Sequence, residues 1–226
     1  MFSGSQTVYH HVDENARPIA LPVGKAVCVG RNYLMHIQEL NNAVPERPLL
    51  FIKPSTSLVT LAEPVFIPRD QGSCHNEIEL AILINQPLKN ASEAQAEQAI
   101  YGYGLALDLT LRDLQDELKR QGHPWERAKA FDGSCPVSPF VQKSRIADHQ
   151  NVSFKLQVNG HIRQQGNSKD MLVAINALIS EISHTFTLLP GDIVLTGTPK
   201  GVGPLYAGDK LEVSLDDMLT VTTEVK

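Results

Sequence analysis

The sequence has little that would direct the chain to a membrane, to nucleic acid or to an oxidising compartment. No uninterrupted apolar stretch in its 226 residues approaches the roughly 20 needed to span a bilayer. The first residues carry neither the basic nor the apolar segment of a secretory signal. The 20 basic residues are scattered among 25 acidic ones without a basic run, which argues against nucleic-acid and anionic-membrane surfaces. We therefore expect a cytoplasmic protein that binds a small molecule.

Cysteine, repeats and nucleotide-binding motifs are equally sparse. Cys28, Cys74 and Cys135 are odd in number and widely spaced, which predicts reduced thiols and neither a zinc site nor a redox motif. The glycine-rich stretch 197–203 lacks the Gly-Lys-Ser/Thr ending of a phosphate-binding loop, so we reject nucleotide binding. No repeat, low-complexity tract or flexible linker divides the chain, which predicts one domain.

Short apolar strands outnumber the helical segments and are joined mainly by turns. This pattern predicts an α+β fold dominated by a mixed or antiparallel sheet. The strongest local signal is the alternating stretch 152–158, which ends at Asn159-Gly160 and predicts a β-hairpin. Residues 1–20 are polar with little periodicity and are interpreted as an N-terminal extension.

Three helices are predicted from residues that can cap a helix N-terminus. Asn32 precedes a short helix that would place His36 and Glu39 on one face. Thr110 precedes a helix that ends at Gly122, and Ser168 is a plausible cap for a long amphipathic helix.

Two acidic residues stand at the start of a buried strand. Residues 74–84 end in an apolar run, and Glu77 and Glu79 are two apart, so both should point to the same side. Two neighbouring carboxylates repel each other and are costly to bury, and a hard divalent cation such as Mg²⁺, Mn²⁺ or Ca²⁺ would relieve that cost. The alternative is a pair of solvated glutamates at an exposed strand start.

A second buried strand ends at Asp108, which is a candidate third ligand. The following helix carries Arg112 and Gln115 near its N-terminal end, where anions are favoured. The alternatives are an ordinary helical ion pair of Arg112 with Asp116 and a surface pair of His36 with Glu39. His75 could be a fourth ligand or could hydrogen-bond a glutamate from outside the ligand set.

Taken together and in this order, these residues resemble those of the fumarylacetoacetate hydrolase family, in particular its short members that act on acylpyruvates and oxaloacetate. The resemblance runs from about residue 20 to the C-terminus, and its motifs are Gly30-Arg31-Asn32-Tyr33, His36, Glu39, His75, Glu77, Glu79, Ala106-Leu107-Asp108, Arg112, Lys129, Gly191-Asp192 and Gly197-Thr198-Pro199-Lys200-Gly201-Val202-Gly203. It implies a β-rich mixed-sheet roll, a homodimer, and a single catalytic domain over residues 21–226.

The resemblance also implies roles for individual residues. The metal ligands would be Glu77, Glu79 and Asp108; the catalytic residues His36, Glu39 and Lys129; and the substrate-binding residues Arg112, Gln115 and Thr198. The implied cofactor is Mg²⁺ or Mn²⁺, with Ca²⁺ as a non-physiological occupant. Relatives commonly carry His or an aromatic residue where this chain has Asn76, a difference that bears on the surroundings of the metal and on substrate preference.

Three functions are compatible with these residues. The first is hydrolysis of a C–C bond in 2,4-diketo acids (acylpyruvates), which yields pyruvate and a carboxylic acid. The second is decarboxylation or keto–enol tautomerisation of oxaloacetate, which passes through the same enolate. The third is a catalytically inactive member that binds a metal or ligand. Only hydrolysis demands a positioned water, so the presence of His36 and Glu39 favours it at this stage.

Overall fold

A computed structural model describes residues 8–226, and residues 1–7 of the predicted extension lie outside that range. The helices in the described part are α1 (Leu34–Glu39), α2 (Glu93–Gln98), α3 (Arg112–Gln121), α4 (Glu126–Lys129) and α5 (Ile175–Thr185). The strands are β1 (Ala26–Gly30), β2 (Leu49–Lys53), β3 (Leu58–Thr60), β4 (Cys74–Asn76), β5 (Ile78–Ile84), β6 (Ile100–Leu107), β7 (Thr110–Leu111), β8 (Cys135–Val137), β9 (Val141–Gln142), β10 (Ser153–Val158), β11 (His161–Asn167), β12 (Ile193–Leu195), β13 (Gly203–Pro204), β14 (Lys210–Leu215) and β15 (Leu219–Glu224).

The largest sheet is mixed and confirms the predicted α+β, β-rich fold. Its strands follow the order β2-β1-β12-β5-β6-β8-β3, and β9 also pairs with β6. The pairs β1–β12 and β3–β8 are parallel, whereas the others in this sheet are antiparallel. Two smaller sheets have the orders β11-β10-β14-β15 and β13-β4-β7.

The hairpin predicted at Asn159-Gly160 is confirmed. Strands β10 and β11 pair antiparallel on either side of it. Both turn residues have positive φ, 52° at Asn159 and 80° at Gly160, which is the conformation that such two-residue turns require.

Strand β5 lies between two apolar layers, as its sequence predicts. All seven of its residues are buried. Ile78, Leu80 and Ile82 pack into one hydrophobic cluster, whereas Ala81 and Leu83 pack into another. Because strand side chains alternate in direction, Glu79 shares the side of Ala81 and Leu83, and this strand carries its carboxylate into the protein interior.

The three predicted helix caps are wrong, because each polar side chain binds elsewhere. The Asn32 amide bonds to Val173 and Thr196, and Tyr33 occupies the N-cap position of α1. Thr110 lies in β7, so α3 begins only at Arg112. Ser168 accepts a hydrogen bond from Val152 N and lies in a 3₁₀ turn that precedes α5. Capping signals are local, and tertiary partners override them.

The described part of the predicted extension packs against the folded body. His11 is buried and its ring hydrogen-bonds the carbonyl of Gly191 at 3.0 Å. Phe140 N donates to Val12 O at 2.8 Å. Within residues 8–226 no helix combines the length and apolar character needed to cross a bilayer.

Candidate metal centre and active site

Three buried carboxylates converge at one end of the β5–β6 pair. Glu77 immediately precedes β5, Glu79 lies within it, and Asp108 directly follows β6. The backbone brings two of them together, because Asp108 N donates to Glu77 O at 2.8 Å. One oxygen from each carboxylate lies within 4.8 Å of the others, and all three residues are buried. The solvated-glutamate alternative is therefore excluded for Glu77 and Glu79.

Glu77 is held by two cations. Lys129 Nζ donates to its Oε2 at 2.7 Å, and Arg112 Nη2 donates to its Oε1. Burial alone would raise the pKa of Glu77, but Lys129 and Arg112 lower that pKa well below its usual range. Glu77 is thus a carboxylate at neutral pH even without a bound metal. The alternative pairing of Arg112 with Asp116 does not form, since Asp116 pairs with Lys119.

Asp108 is also held by two cations, one at each oxygen. Lys129 Nζ lies 2.6 Å from Oδ2, and Lys53 Nζ lies 2.9 Å from Oδ1. Lys129 directs a third hydrogen bond, of 2.7 Å, to the hydroxyl of Thr110. Burial disfavours the Lys129 ammonium, but Asp108 and Glu77 raise its pKa above the usual value. Lys129 is therefore a fixed buried cation with all three protons directed at protein acceptors.

Lys53 is a site residue that the sequence reasoning missed. Its side chain is fully buried, and besides Asp108 it contacts Ser134 O at 3.1 Å, Ser134 Oγ at 3.0 Å and the carbonyl of Lys129. Lys53 ends an apolar strand just before Pro54, where lysine is common at an exposed edge. No local signal distinguishes it, because its partners lie far along the chain, at a separation of 81 residues for Ser134.

Glu79 differs from the other two acids because no side-chain cation contacts it in the described structure. Its Oε2 accepts a hydrogen bond of 2.7 Å from Gly197 N. Gly197 has a φ of +95°, which allows its N–H to approach the carboxylate in a backbone conformation unfavourable for other residues. Burial, followed by the neighbouring Asp108, raises the pKa of Glu79 well above its usual value. An ionised Glu79 thus needs a further cation.

A divalent ion with a preference for oxygen ligands fits this arrangement. The donor set consists of three carboxylates, which suits a hard cation such as Mg²⁺ or Mn²⁺ and does not suit a soft one. The three protein ligands would leave coordination positions for substrate or water. Glu77, Glu79 and Asp108 are therefore the residues that could hold a divalent metal ion.

A second missed residue, Gln164, connects the acids to the glycine-rich loop. Gln164 Oε1 accepts from Asn76 Nδ2 at 2.7 Å and from Ile78 N at 2.9 Å. Its Nε2 donates to Thr198 Oγ1 at 2.8 Å and to Pro199 O at 2.9 Å. Asn76 thus supports the strand that carries Glu77 and Glu79 indirectly, through Gln164. Its own Oδ1 is buried without a hydrogen-bond partner in the described structure.

The carboxylates open onto a cleft that contains all three predicted substrate-binding residues. It is lined by Val29, Gly30, Arg31, Leu40, Asn42, Leu49, Phe51, Glu77, Glu79, Asp108, Arg112, Gln115, Lys119, Trp125, Lys129 and Thr198. Arg112 Nη1 donates to Gln115 Oε1 at 2.7 Å, which orients the amide. Thr198 Oγ1 donates to Ile78 O at 2.8 Å, so this hydroxyl can only accept from a bound ligand.

His36 and Glu39 lie beside this cleft without contributing to its lining. His36 is buried, and its Nδ1 lies 3.5 Å from Glu39 Oε2, beyond a strong hydrogen bond. The Glu39 carboxylate instead accepts from Gly201 N at 3.0 and 3.1 Å. Burial lowers the pKa of His36 despite the opposing effect of Glu77 and Glu39, so its imidazole is neutral at pH 7.

The remaining titratable groups near the site stay outside the ligand set. His75 is half-buried, and burial lowers its pKa. It does not belong to the group of converging ligand residues. Cys28, Cys74 and Cys135 are buried free thiols. Burial raises the pKa of Cys74 and of Cys135 to about 12, so both are protonated and unreactive at neutral pH.

The chain is similar to known proteins over most of its length. A family model described as fumarylacetoacetate (FAA) hydrolase C-terminal matches residues 25–226. The chain is 52% identical over 219 residues to the oxaloacetate tautomerase YcgM of Escherichia coli strain K12, a match that covers 96% of this chain and 100% of that protein. It is 44% identical over 200 residues to the mitochondrial oxaloacetate tautomerase FAHD1 of Bos taurus, covering 88% of this chain and 90% of that protein.

A solved structure provides a further comparison. Fumarylpyruvate hydrolase from Pseudomonas aeruginosa in complex with Mn²⁺ and pyruvate is 32% identical to this chain, with a TM-score of 0.89. The match covers 100% of this chain and 98% of that one.

We expect Glu79→Gln to separate metal binding from folding. The substitution keeps the shape and an acceptor for Gly197 N but removes the negative charge, so Mn²⁺ affinity should fall by more than about 100-fold, beyond what the loss of a group outside the ligand set usually causes. The metal-free variant should be at least as stable as the wild type at pH 7, because a buried carboxylate without a cation is lost. Electron paramagnetic resonance of free Mn²⁺ and urea unfolding measure the two effects. Glu117→Gln, on the exposed side of α3, is the control; unchanged Mn²⁺ affinity in Glu79→Gln would contradict the metal site.

Lys53→Met should destabilise the protein strongly. The substitution leaves Asp108 with one cation and removes the donor to Ser134, and breaking a buried ion pair typically costs about 3–5 kcal/mol. Lys143→Met removes a partly exposed pair with Glu97 and should cost less than about 1 kcal/mol. Urea unfolding without added metal compares the two variants. Equal losses in the free energy of unfolding would show that the buried Lys53 ammonium does not stabilise the site.

Proposed function

Because the chain belongs to the fumarylacetoacetate hydrolase family, we propose that it is a metal-dependent enzyme that interconverts the enol and keto forms of oxaloacetate. The sequence alone favoured hydrolysis of acylpyruvates and kept oxaloacetate chemistry as the alternative. The comparisons support that alternative better. The observation that carries the choice of oxaloacetate is the identity to oxaloacetate tautomerases over nearly the full length of both chains.

The charges of the site support a substrate with two negative charges. Three carboxylates (Glu77, Glu79 and Asp108) are matched by three cations (Lys53, Lys129 and Arg112) around them. A bound divalent cation would therefore leave an excess of about two positive charges when all three acids are ionised. Oxaloacetate is a dianion at neutral pH and would neutralise that excess, whereas acetylpyruvate is a monoanion.

Each residue has a defined part in this proposal. A divalent ion held by the three acids would polarise the 2-oxo group of the substrate. The Lys129 ammonium stabilises the negative charge that develops on the oxygen as the C3 proton leaves, and it does so as a fixed charge. Arg112 and Gln115 would orient the adjacent carboxylate. His36, neutral and with Nδ1 directed towards Glu39, would use Nε2 to carry a proton between C3 and the oxygen on C2.

Hydrolysis of an acylpyruvate is the second candidate. It is supported by the structural similarity to a fumarylpyruvate hydrolase and by the presence of both His36 and Glu39. The 3.5 Å separation of these two side chains provides weaker support for an activated water than a formed hydrogen bond would. Tautomerisation requires no such water.

Other parts of the proposal follow from the family resemblance and the chemistry of the ligands. Mg²⁺ is the proposed physiological metal, with Mn²⁺ as a functional substitute. A homodimer is proposed from the resemblance, and a cytoplasmic location from the three unpaired thiols. The roles of His36, Glu39, Lys129, Arg112, Gln115 and Thr198 are parts of the same proposal.

We expect the purified protein with Mg²⁺ to accelerate the conversion of enol-oxaloacetate to the keto form. The decay of the enol absorbance, corrected for the buffer-catalysed rate, measures this activity. Pyruvate and CO₂ should not appear at a comparable rate, and acetylpyruvate should be hydrolysed much more slowly. Excess chelator and Glu79→Gln should each abolish the acceleration. Pyruvate release from acetylpyruvate at the greater rate would support hydrolysis instead, and CO₂ release in step with enol loss would support decarboxylation.

The pH dependence should report His36. Because burial lowers its pKa below the usual 6.5, the imidazole remains a base to lower pH than a solvated histidine, and the rate should decline only below about pH 6.5. His36→Asn should lower kcat by about 100-fold or more and remove this decline. Steady-state rates between pH 5 and 8 make the comparison, with His123→Asn, at an exposed histidine after α3, as the control. An unchanged rate in His36→Asn would exclude it as the base.

A further inference from the structure

Arg31 is the cleft cation that the proposed chemistry does not use. Of the four basic residues that line the cleft, Arg112 and Lys129 pair with Glu77, and Lys119 pairs with Asp116 at 3.6 Å. Within residues 8–226, Arg31 is the one basic residue of this lining without an acidic partner. The cleft thus contains one guanidinium whose charge no protein carboxylate neutralises.

The backbone of Arg31 is held in a conformation that such a residue seldom adopts. Its φ is +64°, in the left-handed region that disfavours a side chain with a Cβ. It lies between the end of β1 and Asn32, whose amide binds Thr196 O at 2.9 Å and Val173 N at 2.8 Å. Non-glycine residues held in this region are concentrated at ligand sites, where the surrounding structure maintains them.

Two hydrogen bonds orient the Arg31 guanidinium and leave some of its N–H donors free within the described structure. Its Nη2 donates to Asn42 Oδ1 at 2.8 Å and its Nη1 to Ala43 O at 3.4 Å. Asn42 is itself held, because its N–H donates to Ile37 O at 3.0 Å. An arginine has five N–H donors in a planar fork that suits a carboxylate. Arg31 is therefore fixed by neutral groups and retains donors and a full charge for an anion.

We propose that Arg31 binds the distal carboxylate of the substrate and selects dicarboxylic keto acids over monocarboxylic ones. This inference rests on the proposed function, in which the acids, Arg112 and Gln115 hold the first carboxylate and the 2-oxo group. The second carboxylate of oxaloacetate then needs a cation elsewhere in the same cleft. Arg31 is the cleft residue whose charge is available for it.

The test uses Arg31→Asn, because asparagine removes the charge and tolerates positive φ better than most residues. Its substrates are oxaloacetate and the 4-methyl ester of oxaloacetate, which lacks the distal charge. We expect kcat/KM for oxaloacetate to fall by about 10- to 100-fold, mainly through KM, as for the loss of a charged hydrogen bond. For the ester the change should be less than about threefold. Arg31→Lys should restore part of the activity on oxaloacetate.

Two further variants make the result specific. Arg120→Gln removes a charge from the exposed side of α3, outside the cleft, and should leave both substrates unaffected. Lys119→Met tests the other cation near the cleft that is only loosely paired. The inference is overturned if Arg31→Asn affects the ester as much as oxaloacetate, or if Lys119→Met alone discriminates between them.

A binding measurement separates this inference from the proposed function. Calorimetry with Mn²⁺-loaded protein compares malate with lactate, which share the 2-hydroxy acid head and differ in the distal carboxylate. Absence of oxaloacetate tautomerisation in the wild type would overturn the proposed function alone. The Arg31 assignment still stands if malate binds more tightly than lactate and Arg31→Asn removes the difference, and it fails if the difference is absent or survives the substitution.

Discussion

The site depends on a buried chain of alternating charges. It runs Lys53–Asp108–Lys129–Glu77–Arg112, and every contact in it joins opposite charges. Each ion would be costly to bury alone, and removing any member would leave a neighbour uncompensated. The side chains therefore stabilise one another as a set, which holds two of the proposed metal ligands in place before any metal binds.

The sheet supplies the geometry that this chain of charges requires. The β5–β6 register pairs Ile78 with Leu107, which brings the adjoining Glu77 and Asp108 together, and the backbone hydrogen bond between these two residues continues the pairing. Gln164 reaches from β11 to hydrogen-bond both the start of β5 and the Thr198 loop. Three separate parts of the chain thus converge at one point, and a shift of one residue in β5 would turn Glu79 to the opposite face.

The sequence predicts those parts of the site that are determined by strand geometry and does not predict those that depend on long-range contacts. The common direction of Glu77 and Glu79 follows from the two-residue period of a strand, and Asp108 was recognisable as an acid at a strand end. Lys53 and Gln164 were missed because each lies in a strand with no unusual local pattern. Asn32 and Thr110 were misread as helix caps because their partners lie elsewhere in the fold. The Asn32 amide binds Val173 and Thr196, and the Thr110 hydroxyl accepts a hydrogen bond from Lys129.

Glu79 marks the point at which stability and function diverge. Asp108 and Glu77 each contact two side-chain cations, whereas Glu79 has a single backbone N–H. A protein selected for stability alone would favour an uncharged residue there, because an ionised Glu79 is both desolvated and close to Asp108. For an ionised Glu79, a cation from outside the chain removes this imbalance. With that cation bound, the acids and their partners carry an excess of positive charge, and Arg31 adds a further cation to the same cleft. The electrostatic argument that calls for a metal therefore also favours a substrate with two negative charges.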